Sequence, residues 1–167
     1  LLRLVDGLLA VLNEQRQIIA INRRLAEYLG IGDDLDACGL RPGEVMRCVH
    51  SDERKSGCGT TRHCASCGSA IAIVTALADG EPAERTCAIE RRAGAGPSNL
   101  YFSVRASPVE FDGHKLVLLF MEDITRVQEL STLERVFFHD MNNVLQYLMG
   151  TIEMGLAGAG QEDPKLL

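Results

Sequence analysis

The stretch LYFSVRASPVEFDGHKLVLLFMEDIT, residues 100–125, alternates apolar and polar side chains on both sides of the pair Asp112–Gly113. Such alternation predicts half-buried β-strands, and an Asp-Gly pair between two such runs predicts a tight hairpin. The segment ERTCAIERR, residues 84–92, alternates in the same way, and AGAGPSN, residues 93–99, is a turn that connects the two. Consecutive strands joined by short turns indicate an antiparallel meander.

The residues upstream predict two more strands and two helices. LLAVL and IIAI, within residues 7–21, flank the polar run NEQRQ, which has the length of a hairpin turn. Asn22 is a good N-cap for the helix RRLAEYLG, which Gly30 ends. A second helix, SAIAIVTALA, covers residues 69–78. The predicted fold class is therefore α+β, an antiparallel sheet flanked by helices.

The C-terminal part predicts one long amphipathic helix that leaves this domain. Residues 124–160 contain no proline and no glycine before Gly150. Apolar residues recur there at intervals of three and four, namely Val127, Leu130, Leu133, Phe137, Met141, Val144, Leu148 and Ile152. A lone helix would leave this stripe in water, so we expect it to pair with a second copy of the chain or with a missing helix.

Charge and hydropathy exclude two classes of partner. With 17 basic and 23 acidic residues, the formal net charge is -6, and the arginines form no long basic run, which argues against nucleic-acid binding. No run of apolar residues is long enough to span a membrane, so we expect no membrane contact by this chain. The first residues lack the layout of a signal peptide. Because the chain lacks an initiator Met, we expect it to be a piece of a longer protein. Membrane segments upstream of this piece remain an open alternative.

The run CVHSDERKSGCGTTRHCASCG, residues 48–68, holds four of the six cysteines and two of the four histidines. A metal or cluster site, a disulfide staple and chance are the three explanations. An even cysteine count suits disulfides in a secreted protein, whereas clustering in one loop suits metal binding in a reducing compartment. Nothing else indicates secretion, so we predict reduced thiols and a cytoplasmic location.

The cysteine spacing suits a site made of four thiolates. Cys64 and Cys67 form a Cys-x-x-Cys clip, and Cys58 and Cys48 precede it. Four thiolates in tetrahedral array bind Zn²⁺, and the same four suit a [4Fe-4S] cluster. We predict that the site binds Zn²⁺, with the cluster as the alternative. Zinc sites more often use two Cys-x-x-Cys clips, and this run has one. Disulfides or free thiols are the remaining alternative.

The remaining candidates at this stretch have simpler interpretations. His50 and His63 are alternative metal ligands, although each is more simply a hydrogen-bond donor to a ligand or a solvated side chain. Cys87 lies in an alternating strand and is interpreted as a small core residue. Cys38 has no partner at clip spacing and stays unassigned.

The order of elements resembles that of a PAS domain, the small sensory module of signalling proteins. DGLLAVLNEQRQIIAINRRLAEYLG, residues 6–30, looks like the opening of such a domain, and MEDIT, residues 121–125, looks like its close, where Asp-Ile-Thr starts the output helix. The resemblance covers about residues 1–125. It implies a sensory domain, with a Cys-rich insert at about residues 38–68.

The long helix carries FFHDMNNVL, which resembles the His-Asp-x-x-Asn phosphoacceptor box of sensor histidine kinases. The resemblance implies that His139 is the phosphorylated residue, that Asp140 is its acid/base partner, and that Asn143 is the polar residue one turn on. The cysteine run also resembles the C-x-H…GCGT-x3-C-x2-C-G pattern of a subgroup of PAS-containing kinases, through Cys48, His50, Cys58, Cys64 and Cys67.

Together these resemblances predict the sensory and phosphoacceptor part of a two-component sensor histidine kinase. Residues 126–167 would be the signalling helix and the first helix of the dimerisation and phosphotransfer domain. No nucleotide-binding motif follows, so we expect no kinase activity from this chain alone. The implied partners are a second copy of the chain, an ATP-binding kinase domain and a response regulator. The alternative is a PAS module that binds a small ligand, with a purely structural zinc, and acts as a dimerisation or adaptor domain.

Overall fold

The computed structural model describes residues 7–92 and 99–159 of the chain. The elements, in chain order, are β1 (Leu8–Leu12), β2 (Ile18–Ile21), α1 (Arg23–Leu29), α2 (Pro42–Val45), α3 (Gly68–Asp79), β3 (Ala83–Glu90), β4 (Asn99–Phe111), β5 (His114–Asp123) and α4 (Thr125–Ala159). The strands form one antiparallel sheet in the order β2-β1-β5-β4-β3. The predicted α+β class, with an antiparallel sheet and flanking helices, is confirmed.

The first hairpin and helix form where local signals predicted them. Asn13 shapes the β1–β2 turn, because its side-chain oxygen accepts the Gln17 amide at 2.8 Å. The buried Asn22 caps α1 by accepting the Leu25 amide at 3.0 Å, and the same oxygen accepts the Leu9 amide of β1 at 3.1 Å. Gly30 ends the helix in the left-handed conformation, at φ 68°. One cap residue therefore fixes α1 to the sheet.

The meander β3-β4-β5 carries most of the core. Helix α3 packs on its inner face, and the side chains buried there include Ala72, Ile73, Ala76, Phe102, Val104, Ala106, Val117, Leu119 and Met121. Alternation along β4 and β5 sends every second side chain to this face, as the sequence pattern predicted. Helix α3 extends one residue beyond the predicted bounds at each end, and most of the predicted 93–99 turn lies outside the described residues.

Between α1 and α3 the chain contains only short helical turns, at Asp34–Ala37, at α2 and at Arg62–Ala65, and most of this region is the predicted Cys-rich insert. It joins the sheet beside β3. The Val49 amide donates to the Glu90 carbonyl at 2.9 Å, and Cys48 forms an isolated bridge with Arg91. The insert is therefore attached to the edge of the sheet by backbone hydrogen bonds, which hold its first cluster cysteine in place.

Contacts divide the chain into two units, Leu1–Thr125 and Arg126–Leu167. Helix α4 spans 35 residues, and its apolar stripe is exposed from Val127 to Ile152. Within the described residues, no helix combines the length and the apolar character needed to cross a membrane.

Candidate metal centre and phosphoacceptor site

Five cysteines line one cavity of about 420 Å³ between the insert and the inner face of the sheet. They are Cys48, Cys58, Cys64, Cys67 and Cys87. Four of them are the predicted ligands, and all five are free thiols. The other walls include apolar side chains of α3 and the sheet, together with the guanidinium-bearing Arg16 and Arg41. The structure thus brings the four predicted ligands together with a fifth thiol, that of Cys87 on β3.

Arg41 shapes the part of the insert that carries Cys58. Its guanidinium donates to the Ser56 carbonyl at 2.7 Å and to the Cys58 carbonyl at 2.8 Å. The Cys58 amide in turn donates to the Glu44 carboxylate at 3.2 Å. Backbone groups on both sides of the Cys58 side chain are therefore held by α2 and the residue before it.

Gly43 leaves room for the Cys58 sulfur. A Cβ at position 43 would lie 2.5 Å from the Cys58 Sγ and 3.6 Å from the Cys48 Cβ. The absence of a side chain at Gly43 therefore creates the space in which the two cysteines approach each other.

The Cys64 sulfur is surrounded by hydrogen-bonding groups. The Gly59 amide donates to it at 3.2 Å, and the Thr61 hydroxyl lies 3.3 Å from it. The short turn Arg62–Ala65 places Cys64 against the loop that follows Cys58.

Cys67 is the N-cap of α3, and its sulfur lies 3.6 Å from that of Cys87 on β3. Contact with the Cys87 thiol lowers the pKa of Cys67 to about 6; the amides of Ala70 and Ser69 also lower this pKa, whereas burial opposes the shift. The same contact, followed by burial, raises the pKa of Cys87 far above its ordinary value. The favoured state is a Cys67 thiolate that accepts a hydrogen bond from the Cys87 thiol.

Burial acts in the opposite direction on the first two cysteines. It raises the pKa of Cys58 to about 12, and the nearby sulfurs of Cys64 and Cys67 add to the rise. Burial also raises the pKa of Cys48, again with contributions from Cys67 and Cys64. These mutual effects arise because the four sulfurs face one another across the cavity. A cation in the cavity would remove the repulsion among the thiolates.

His50 and His63 lie beside the cavity with Glu53. Among the described residues, these three form the one group whose potential ligand atoms all lie within 4.8 Å of one another. The Nδ1 atom of His50 contacts the Glu53 carboxylate, and the two imidazole rings stack with centroids 3.8 Å apart and planes 8° from parallel. A metal ion binds an imidazole in the plane of its ring. Two stacked parallel rings share no such point, so this arrangement suits hydrogen bonding better than joint binding of one ion.

The two predicted occupants of the cysteine cavity need different distances between the sulfurs. Zn–S bonds of about 2.3 Å in a tetrahedron place the four sulfurs about 3.8 Å apart. No three of the cysteine sulfurs lie within 4.8 Å of one another in the described part of the chain. A four-iron cluster holds its thiolates farther apart, because each binds a different corner of the core. The donor set therefore fits both groups chemically, and no three of its sulfurs, all on described residues, have the spacing of a zinc tetrahedron.

A row of cross-strand partners leads from the cavity to the start of α4. Cys87 pairs with Phe102, and Phe102 pairs with Asp123, the last residue of β5. The Tyr28 ring meets the fully buried Phe102 edge-on, with centroids 6.0 Å apart, and its hydroxyl donates to Asp123 at 2.6 Å. The other Asp123 carboxylate oxygen accepts the Thr125 amide, the first of α4, at 2.9 Å. This row connects the cysteine site with the end of the sheet by direct contacts.

His139 lies on α4 with its side chain 73% exposed, and Asp140 beside it is 70% exposed. Its Nδ1 atom is 3.2 Å from the Asp140 carboxylate and 3.3 Å from the Asn143 side-chain amide. The three predicted residues thus form one hydrogen-bonded group around Nδ1. Neither of these contacts uses Nε2, the other ring nitrogen.

Sequence reasoning missed three residues that line the cysteine cavity, Cys87, Arg16 and Arg41, and also Glu53, which contacts His50 beside it. Cys87 was interpreted as core only; it is buried at 1% exposure, but its sulfur also touches Cys67. Alternation placed Cys87 on the same side as Ile89, and that was the available signal. Arg16, Arg41 and Glu53 had no sequence signal, because they reach the site from distant or irregular segments.

Comparisons with known proteins identify the fold. No family model matches the chain, and no curated protein matches it significantly. An RNA-binding Light-Oxygen-Voltage receptor aligns with a TM-score of 0.55 and 16% identity, over 81% of this chain and 35% of that one. The RsLOV d2 variant aligns with a TM-score of 0.51 and 14% identity, over 75% and 63%. The PAS domain of nitrogen regulation protein NR(II) from Vibrio parahaemolyticus aligns with a TM-score of 0.50 and 14% identity, over 74% and 94%. At such identities the likeness concerns the fold alone: the chain has the fold of PAS domains.

Proposed function

We propose that the chain is the sensory and phosphoacceptor part of a two-component sensor histidine kinase, in which the cysteine site controls phosphorylation of His139. The carrying observation is that the predicted ligands converge on one cavity whose wall includes Cys87, the first member of the row that ends at Asp123. Asp123, at the end of that row, accepts the amide of Thr125, the first residue of the helix that bears the predicted phosphoacceptor group. A cytoplasmic location follows from this function and from thiols kept reduced.

The cavity would hold either Zn²⁺ or a [4Fe-4S] cluster, through Cys48, Cys58, Cys64 and Cys67. The cluster would supply a redox- and oxygen-sensitive centre, whereas zinc would supply a redox-inert brace. In both cases these cysteines bind as thiolates, and Gly59 N–H orients Cys64.

The row Cys87–Phe102–Asp123 is the proposed route from the site to the output helix. A change in the position of Cys67 acts on Cys87 because their sulfurs touch. Phe102 is fully buried and packs edge-on against Tyr28, so a shift of β3 is transmitted to β4 and to the Tyr28–Asp123 hydrogen bond. The position of Asp123 then decides how α4 begins.

The group around His139 suits nucleophilic attack by Nε2. If Nδ1 carries the proton and donates it to the Asp140 carboxylate, Nε2 keeps its lone pair and faces solvent. The Asn143 amide nitrogen lies 3.3 Å from Nδ1, so this tautomer requires the Asn143 amide to turn and present its oxygen to Nδ1. An ATP-binding domain outside this chain would provide Mg²⁺ and the γ-phosphate for in-line attack. A second copy of the chain, paired through the apolar stripe of α4, is the proposed dimer partner, and a response regulator is the proposed acceptor of the phosphoryl group.

The test uses the full-length protein, incubated with labelled ATP under anaerobic and aerobic conditions. We expect phosphorylation that depends on oxygen and is abolished in His139→Gln, whereas the control His114→Gln, which alters an exposed strand residue, keeps it. Cys58→Ser and Cys64→Ser should remove the dependence on oxygen while phosphorylation persists. Labelling that survives in His139→Gln would refute the phosphoacceptor assignment.

The cavity also favours a second candidate function. Ile73, Ile89, Phe102, Val104 and Met121 give it an apolar interior, which suits a small ligand. The chain would then be a ligand-binding module braced by structural zinc, and α4 would only dimerise. Zinc without iron, and signalling output unchanged by His139→Gln, would favour this alternative over the first.

A further inference from the structure

We propose that Cys67 and Cys87 form a reversible disulfide, which makes this pair a site of oxidative modification. Their sulfurs lie 3.6 Å apart in the reduced protein. A disulfide requires about 2.05 Å between the sulfurs, so rotation of the two side chains must bring them closer by about 1.5 Å.

The two backbones are held together at this point. Gly68, which follows Cys67, packs directly on β3, where a Cβ at position 68 would lie 2.0 Å from the Thr86 carbonyl oxygen. Thr86 is the residue before Cys87. The close approach of α3 to β3 therefore fixes the separation of the two cysteines, and little entropy is lost when their sulfurs join.

The two thiols differ in exposure, which sets the order of reaction. Cys67 is partly exposed, whereas Cys87 is 1% exposed. A dissolved oxidant therefore meets Cys67 first, and Cys87 is positioned to resolve the product from the inner side. Cys67 is the N-cap residue of α3, and a helix N-terminus is a setting typical of reactive cysteines.

A low-molecular-weight disulfide, such as oxidised glutathione, serves as the oxidant. The Cys67 thiolate attacks one of its sulfurs, which forms a mixed disulfide and releases one glutathione thiolate. The Cys87 thiol then loses its proton and attacks the Cys67 sulfur, and the second glutathione leaves as a thiolate. In total, two protein thiols lose two electrons and two protons, and one glutathione disulfide becomes two thiols.

One consequence rests on the function proposed above. The disulfide removes Cys67 from the set of thiolate ligands, so the oxidised chain binds the metal or cluster poorly. Bound metal in turn occupies the Cys67 sulfur and slows disulfide formation. The oxidation state of the Cys67–Cys87 pair would therefore depend on whether the cavity holds a metal or cluster.

The test uses the full 167-residue chain, treated with a chelator and then with oxidised glutathione. Free thiols are alkylated in denaturant, and the protein is digested with trypsin. Trypsin releases Cys87 alone in residues 86–91 and Cys64 with Cys67 in residues 63–85. We expect these two peptides to be joined, the link to persist in Cys64→Ser and Cys38→Ser, and dithiothreitol to reverse it.

The link should be absent from Cys67→Ser and Cys87→Ser, whose folding is checked by circular dichroism. Recovery of residues 86–91 from the unaltered chain with Cys87 alkylated, or joined to a peptide bearing another cysteine, would overturn the proposal. This assay needs neither metal nor phosphoryl transfer. A linked chain that binds no metal when reduced would thus refute the proposed function alone, and a metal-binding chain without the link would refute the disulfide alone.

Discussion

A methyl group at position 43 would compete for space with the Cys58 sulfur, at 2.5 Å. We therefore expect Gly43→Ala to displace this sulfur and to lower the metal bound per chain severalfold, since a ligand in the wrong position no longer completes the site. Elemental analysis of purified protein measures the effect. Gly32→Ala is the matched control, because a Cβ there meets nothing within 4 Å. Equal metal content in the two variants would show that Cys58 does not bind the metal at this place.

The hydroxyl of Tyr28 donates its hydrogen to Asp123 at 2.6 Å. We expect Tyr28→Phe to lower the free energy of unfolding by about 1 kcal/mol, the typical contribution of one such hydrogen bond. Chemical denaturation measures this change, and Tyr147→Phe, which alters a side chain 73% exposed on α4, should leave stability unchanged.

The pH dependence of the same pair has a definite sign. Burial, and then the Asp123 carboxylate, raises the pKa of Tyr28 above its ordinary value of 10.0. A folded-state pKa above the unfolded one stabilises the fold fully below about pH 10, and this stabilisation declines as pH rises beyond that value. The stability of the unaltered chain should therefore fall above pH 10 more steeply than that of Tyr28→Phe, and parallel curves would contradict the bond.

At the scale of elements, α4 presents an apolar stripe to solvent in the described chain. We expect Leu133→Gln, within the stripe, to weaken self-association of the chain at least tenfold, because dimerisation buries the stripe. Arg135→Gln, on another face of the helix, should leave it unchanged. Sedimentation velocity over a range of concentrations measures both. A monomer in the unaltered chain at high concentration would contradict the dimer.

Most elements could be predicted because their signals are local. The Asn22 cap, the Gly30 stop and the Asp112–Gly113 turn each act within a few residues, and alternation assigns β4 and β5 without knowledge of their neighbours. The bounds of α3 were less certain, since its start depends on Gly68 packing against β3. The insert had no period, and its short turns depend on contacts such as those of Arg41.

At the scale of the whole molecule, the four predicted ligands of the candidate site could be predicted from the sequence, but the full set of residues around the site could not. The spacing of the cysteines from Cys48 to Cys67 predicts a thiolate site. Cys87 joins it only because β3 pairs with β4 under α3, a long-range arrangement that one sequence does not show. The row from Cys87 to Asp123 has the same origin, because it exists only in the register of three strands.

The central claim is that four sulfurs bind one metal centre beside this sheet. The most direct measurement is the metal and acid-labile sulfide content, with an absorption spectrum, of the 167-residue chain purified without oxygen. We predict one metal centre per chain. It is either iron with sulfide, which gives a visible absorption band that air bleaches, or one zinc ion. The centre should be lost in Cys58→Ser and Cys64→Ser but kept in Cys38→Ser. A chain with no bound metal and six readily titrated thiols would contradict the account.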